Sequence, residues 1–226
     1  MSLIPKSNVW KNTRGYDEVS ANTFNLVFAL TTVFGWIAFA VAVNMFIHTK
    51  MSGMEYIMYT VIALAGCFVA AAESVGFKIV GMTMIAGGLG AVCGPYIGLF
   101  KMASVLDILF ATVVITLVLG AAGWCYPKSL ASWGSALFVS LIALIIVQLF
   151  LPLIYYACGL PLKGLTHLLD WIGILLFSAY LVFDFNRAQE VTKTLDNAIS
   201  CGISVFLDMV NIFIRLLELF GVKTDD

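Results

Sequence analysis

Apolar runs separated by short polar or glycine-bearing breaks set the pattern of this chain. A helix needs about 20 apolar residues to cross a bilayer. Runs of about that length occur near 23–47, 54–72, 79–100, 103–123, 133–156, 168–186 and 198–220. The pattern predicts seven membrane-spanning helices. The breaks are short: Lys50 and Gly53, Glu73 to Lys78, Lys101, Tyr126 to Ser129, Gly159 to Gly164, and Arg187 to Asn197. None has room for a second domain, and no internal repeat is visible. The expected organisation is a segment over 1–22, one seven-helix domain over 23–220 and a tail over 221–226. The first run outlasts the roughly 7–15 residues of a secretory h-region, so it reads as a membrane helix.

Polar positions break the pattern in two places. In SVFLDMVNIFIRLLELFG (204–221), 100° per residue places Ser204, Asp208, Asn211, Arg215 and Glu218 within an arc of roughly 80°. The remainder is Val, Ile, Phe, Leu and Met, so the seventh helix is an apolar rod with one polar stripe. Such a stripe faces protein or water, because an unpaired charge at bilayer depth is expensive. In WIGILLFSAYLVFDFNRAQE the same arithmetic puts Gly173, Phe177, Tyr180, Asp184 and Arg187 on one face.

Asp184 lies near the end of the sixth run. Asp208 lies about ten residues, roughly 15 Å, into the seventh, so antiparallel packing brings the two carboxyls to similar depth. Two carboxyls meeting in a low-dielectric site do not comfortably both ionise, and the proton they share belongs to the pair. Such a pair would act as a proton-operated latch. The spacing leaves other arrangements open: Asp184 snorkelling at a helix end, and Asp208 pairing with Asn211 or Arg215. Arg215 and Glu218, three apart, read as a local ion pair. Asp107 and Glu73 read as interfacial.

Composition strengthens the membrane assignment. The 226 residues are 62% hydrophobic and 11% charged, against about 45–50% and about 25% in soluble domains. Twelve scattered Lys and Arg, with a net charge of −1, lack a nucleic-acid footprint. Loop charges predict a cytoplasmic N-terminus. Lys6, Lys11, Arg14, Lys78, Lys128, Arg187 and Lys193 fall on one side, against Lys50, Lys101, Lys163 and Lys223 on the other. Cys67, Cys93, Cys125, Cys158 and Cys201 contain no C-x-x-C pair and read as small buried hydrophobes. His48 and His167 read as loop residues without the spacing of a zinc site. In GAVCGPYIG, glycines 90, 94 and 98 give a smooth face for close helix packing. Pro95 and Pro152 are expected to kink the third and fifth helices. No nucleophile triad, zinc motif or phosphate loop is present, and the chain reads as a non-enzyme without a cofactor.

The pairing of FSAYLVFDFNRAQE with SVFLDMVNIFIRLLELFG, aspartates 24 positions apart, and the ending LELFGVKTDD resemble the Bax inhibitor-1 (transmembrane Bax inhibitor motif) family, bacterial members especially. The resemblance is specific over about 171–226 and rests upstream on the seven-run layout. It implies an all-α integral membrane protein of the bacterial plasma membrane, with six helices surrounding a central C-terminal one. It also implies a pH-sensitive calcium leak channel in which Asp184 and Asp208 are the sensor and a weak, transient calcium site. Ser204, Asn211, Arg215, Glu218, Arg187 and Tyr180 are then supporting polar residues. Eukaryotic relatives are linked to cell-death suppression and some bacterial ones to a membrane protease.

One departure concerns a family arginine near the end of the second helix. Here the sequence reads AAAESVGFKIVG, with Lys78 the basic residue, so the resting counter-ion of the pair stays open. Two further expectations stand beside the channel. One is a non-conducting regulator that binds a membrane protease or another integral membrane protein. The other is a proton-coupled transporter, for which no broken-helix repeat is apparent.

Overall fold

The computed structural model describes residues 18–158 and 163–224. Those residues form seven helices: α1 (Ala21–Phe46), α2 (Gly53–Ala70), α3 (Val75–Ile97), α4 (Met102–Cys125), α5 (Trp133–Cys158), α6 (Lys163–Glu190) and α7 (Leu195–Phe220). Local chemistry sets several of the starts. The Ser20 hydroxyl accepts the Thr23 N–H at the head of α1, at 3.1 Å. Ser52 and Glu55 form a reciprocal capping box on α2. The Thr194 hydroxyl accepts the Asn197 N–H at the head of α7.

Helices α1–α6 are each long and apolar enough to cross a membrane. They carry exposed large apolar side chains, among them Leu26, Ile37, Phe68, Phe110, Leu149 and Leu175, as lipid-facing surfaces must. Helix α7 differs. Its exposed large hydrophobics among the described residues are the terminal Leu195 and Phe220, while Phe206, Ile212 and Leu217 are fully buried. A helix with four ionisable residues, Asp196, Asp208, Arg215 and Glu218, is thereby withdrawn from lipid. The result is an all-α, multi-pass membrane protein.

The chain divides into two compact units. Among the described residues, one comprises 18–105, 191–206 and 222–224; the other comprises 106–158, 163–190 and 207–221. In the first, α3 packs by its small residues. A Cβ added at Gly90 would lie 2.6 Å from the Phe39 carbonyl oxygen of α1, and one at Gly98 2.4 Å from that of Ile47. Gly81 and Gly88 do the same against α2. The GAVCGPYIG face is therefore a packing face, and α3 continues past Pro95 to Ile97. The first half of α7 joins this unit through Gly202, which abuts Phe28 and Thr31, and through Phe206, edge-on to Trp36 and Phe39. The tail is tied to the α3–α4 link: Lys101 N–H donates to Val222 O, and Thr224 N–H to Leu99 O.

In the second unit α4 meets α6 at Gly120, against the Phe185 ring, and at Gly123, against the Val182 backbone. Leu130, Leu137 and Phe183 form a buried cluster. Asn186 secures the α4–α5 link, accepting from Leu130 N–H at 2.9 Å and donating towards the carbonyls of Gly123, Tyr126 and Lys128.

Two helices start earlier than their apolar runs suggest. Helix α3 begins at Val75 and α6 at Lys163, so Lys78 and His167 are helical residues, not connecting ones. Lys78 is also buried, which removes it from the loop charges that set orientation. Lys6, Lys11 and Arg14 lie outside the described residues, as do the side chains of Pro152 and Cys158. Cys67 and Cys125 are exposed, whereas Cys201 is buried. In a bilayer, an exposed thiol on an apolar helix faces lipid as a small hydrophobe, so burial was the wrong expectation for those two.

The close approach at Gly81 yields a stability prediction. Its added Cβ would sit 2.5 Å from Ala70 N and 2.7 Å from Gly66 O, both backbone atoms that cannot turn aside. Gly81→Ala is expected to destabilise by about 1–3 kcal/mol. Gly87→Ala, where nothing lies within 4 Å, should leave thermal unfolding in detergent unchanged.

Candidate functional site: a polar seam between α6 and α7

Helix periodicity places Asp184 on α6 and Asp208 on α7 on inward faces, and the fold brings them together. Their carboxyls lie within interaction range of each other. Asp184 is 6% exposed and Asp208 5%, so bulk solvent screens the two carboxyls little. An ionised carboxylate only accepts, so a hydrogen bond between two carboxyls requires a proton on one of them. Asp208 Oδ2 is buried without a hydrogen-bond partner among the described residues. Tyr180, one turn before Asp184 on α6, lies within electrostatic range of both carboxyls. Arg187, one turn beyond Asp184, interacts electrostatically with it.

Asn211 and Arg215 both find hydrogen-bond partners elsewhere. The Asn211 amide donates to the Leu207 carbonyl of its own helix at 2.9 Å. Arg215 does not form the ion pair expected with Glu218. Its Nη1 lies 3.2 Å from Asp170 Oδ1, with side-chain exposures of 9% and 14%. With the Gln148 amide turned to present its oxygen, both Nη1 and Nη2 of Arg215 donate to it, at 3.0 and 3.2 Å. The guanidinium also lies 5.7 Å from the Phe177 ring. Gly173 makes room for it: a Cβ there would be 2.2 Å from Arg215 Nε. Glu218 is half-buried near the end of α7.

Asp170 and Gln148 were missed by the sequence reading. An α6 starting at 168 makes Asp170 a helix-end residue, whereas the observed start at Lys163 sets it two turns inside. The 14-residue interval from Asp170 to Asp184, with Phe177 midway, is the available signal, since residues seven apart share a helix face. Gln148 stands alone in an apolar run and leaves no such trace.

Ser204 and Lys78 belong to the other unit. Ser204 is half-buried in the first half of α7. Lys78 Nζ lies 3.2 Å from Asp196 Oδ2, both side chains 7% exposed, and donates to the Ser200 hydroxyl. Lys78 is thus the counter-ion of Asp196 at the head of α7. Among the described residues no group of three or more His, Cys, Asp or Glu side chains gathers as a metal cluster. The aspartate pair offers at most about four oxygens, fewer than the 6–8 of a saturated calcium shell.

Residues 17–225 match the family described as Inhibitor of apoptosis-promoting Bax1. The chain belongs to the Bax inhibitor family. It is 26% identical over 148 residues to an uncharacterized protein of Helicobacter pylori, covering 65% of this chain and 55% of that one. It is similar to Bax inhibitor 1 of Schizosaccharomyces pombe at 25% over 134 residues, covering 59% and 48%. To the inner membrane protein YbhL of Escherichia coli it is 21% identical over 131 residues, covering 54% and 53%. This Bax inhibitor family chain thus spans about half the length of these relatives.

Proposed function

We propose that this protein is a pH-sensitive calcium leak path in which Asp184 and Asp208 are both sensor and gate. The observation that carries the reading is the close approach of two buried carboxyls, which a single shared proton would join. While the proton is shared, the pair ties α6 to α7 and the path is shut. When it leaves, two like charges in a low-dielectric site repel, the helices part, and the oxygens become ligands for a passing cation. Calcium favours hard oxygens, and an incomplete shell suits an ion in transit better than a stored one. Calcium is cargo in this reading, and the protein has neither resident cofactor nor catalytic group.

Arg187 is the counter-ion of the ionised pair in this account, since Lys78 is committed to Asp196. Tyr180 and Asn211 supply polar groups along the same seam. The setting is a bacterial plasma membrane with the N-terminus cytoplasmic.

The test is reconstitution of the purified chain into liposomes loaded with a calcium dye, with flux followed between about pH 5 and pH 8, the range in which protein charge switches operate. Flux should rise with pH. Absence of flux throughout would favour the non-conducting regulator, which binds a membrane protease or other integral protein. Saturable, proton-linked uptake of a solute would favour a transporter.

A further inference from the structure

The α6–α7 seam has a second charged rung that the aspartate gate does not use. Asp208 and Arg215 are seven residues apart on α7, about 10 Å and nearly two full turns. Asp184, Phe177 and Asp170 repeat the same interval on α6. The seam therefore runs from a carboxyl pair, past the Phe177 ring, to a guanidinium held by Asp170 and Gln148. Arg215 is 7% exposed, its Nε is buried without a hydrogen-bond partner among the described residues, and Gly173 is hollowed to receive it.

On the calcium-path reading, the seam sets a fixed positive charge beside a route that carries a divalent cation. We infer that Arg215 is the charge barrier of the path and that Asp170 sets its height. With Asp170 beside it the rung is nearly neutral, and a cation leaving the aspartate pair meets little repulsion. Without Asp170 the bare guanidinium repels cations and admits anions. Without Arg215, Asp170 becomes a further carboxylate on the route. The Gln148 oxygen holds the guanidinium in place without changing its charge. This assignment rests on the calcium-path reading and names the residues that set its charge preference.

An ion pair serving packing alone predicts something different. Removing either partner would then harm the fold, and both single variants would shift in the same direction. The charge-barrier assignment predicts opposite directions. At one pH, Asp170→Asn should lower calcium flux by about two orders of magnitude, the scale of one uncompensated charge acting on a divalent ion over about 10 Å at an effective dielectric near 20. Arg215→Gln should raise calcium flux by a similar factor. The double variant Arg215→Gln/Asp170→Asn leaves no charge unpaired and should return flux to near the wild-type level. Asp170→Asn liposomes carrying a chloride-sensitive dye should gain anion permeability.

Full-length wild type and variants, matched for folded yield, are measured side by side. Equal fluxes, or single variants moving together, with no change in anion permeability, overturn the assignment and leave the leak intact. A wild type that conducts nothing at any pH defeats the calcium-path reading itself, and the barrier with it.

Discussion

Asp184→Asn and Asp208→Asn should each abolish most of the pH dependence of calcium flux and leave it low throughout. The sign follows from the proton count. In the wild type, raising the pH removes the shared proton, and two buried like charges then force the gate apart. An asparagine amide always has a proton to donate, so either variant can keep a hydrogen bond to the remaining carboxyl at every pH, imitating the shut pair. Because the two sites titrate as a unit, the single changes should act alike and the double change should add little. Dye-loaded liposomes compared at about pH 5 and pH 8 provide the measurement. A variant that retains the full wild-type rise would remove the pair from gating.

Lys78→Met should be among the most destabilising single changes in the chain. It strands the Asp196 carboxylate, whose partner lies 3.2 Å away with both side chains 7% exposed. Breaking a buried pair on one side costs about 3–5 kcal/mol, whereas replacing both members with apolar residues of similar volume is often neutral or stabilising. Asp196 Oδ1 already lacks a hydrogen-bond partner among the described residues, so no nearby donor takes over. Thermal unfolding in detergent should show a large drop in midpoint for Lys78→Met and substantial recovery for Lys78→Met/Asp196→Leu. Equal losses in both would mean that the lysine stem's packing matters more than its charge.

Much of the candidate site was readable along the chain because a helix converts spacing into direction. The stripe on α7 and the face carrying Tyr180 and Asp184 follow from 100° per residue alone. Partners were harder. Arg215 passes over Glu218, one turn away on the same helix, for Asp170 on α6, because a local pair at that spacing contributes only about 0.2–0.5 kcal/mol. A buried guanidinium also needs several acceptors at once, and Asp170 with Gln148 supplies them. Lys78 read as a loop charge because the apolar run begins after it, yet the helix starts earlier and carries it inward.

Composition and spacing are enough to imply that lipid is the solvent, that seven helices form, and that α7 turns a polar face away from the bilayer. Each follows from a local constraint: in hydrocarbon every backbone group must bond within its own segment, and no isolated charge is tolerated. Which charge meets which is fixed by how the helices pack. Those pairings, Asp184 with Asp208, Arg215 with Asp170 and Lys78 with Asp196, depend on where each helix starts and how it is rotated against its neighbours. Steric contacts such as those at Gly173 and Gly81 help set that rotation, and they join residues with no regular spacing along the chain.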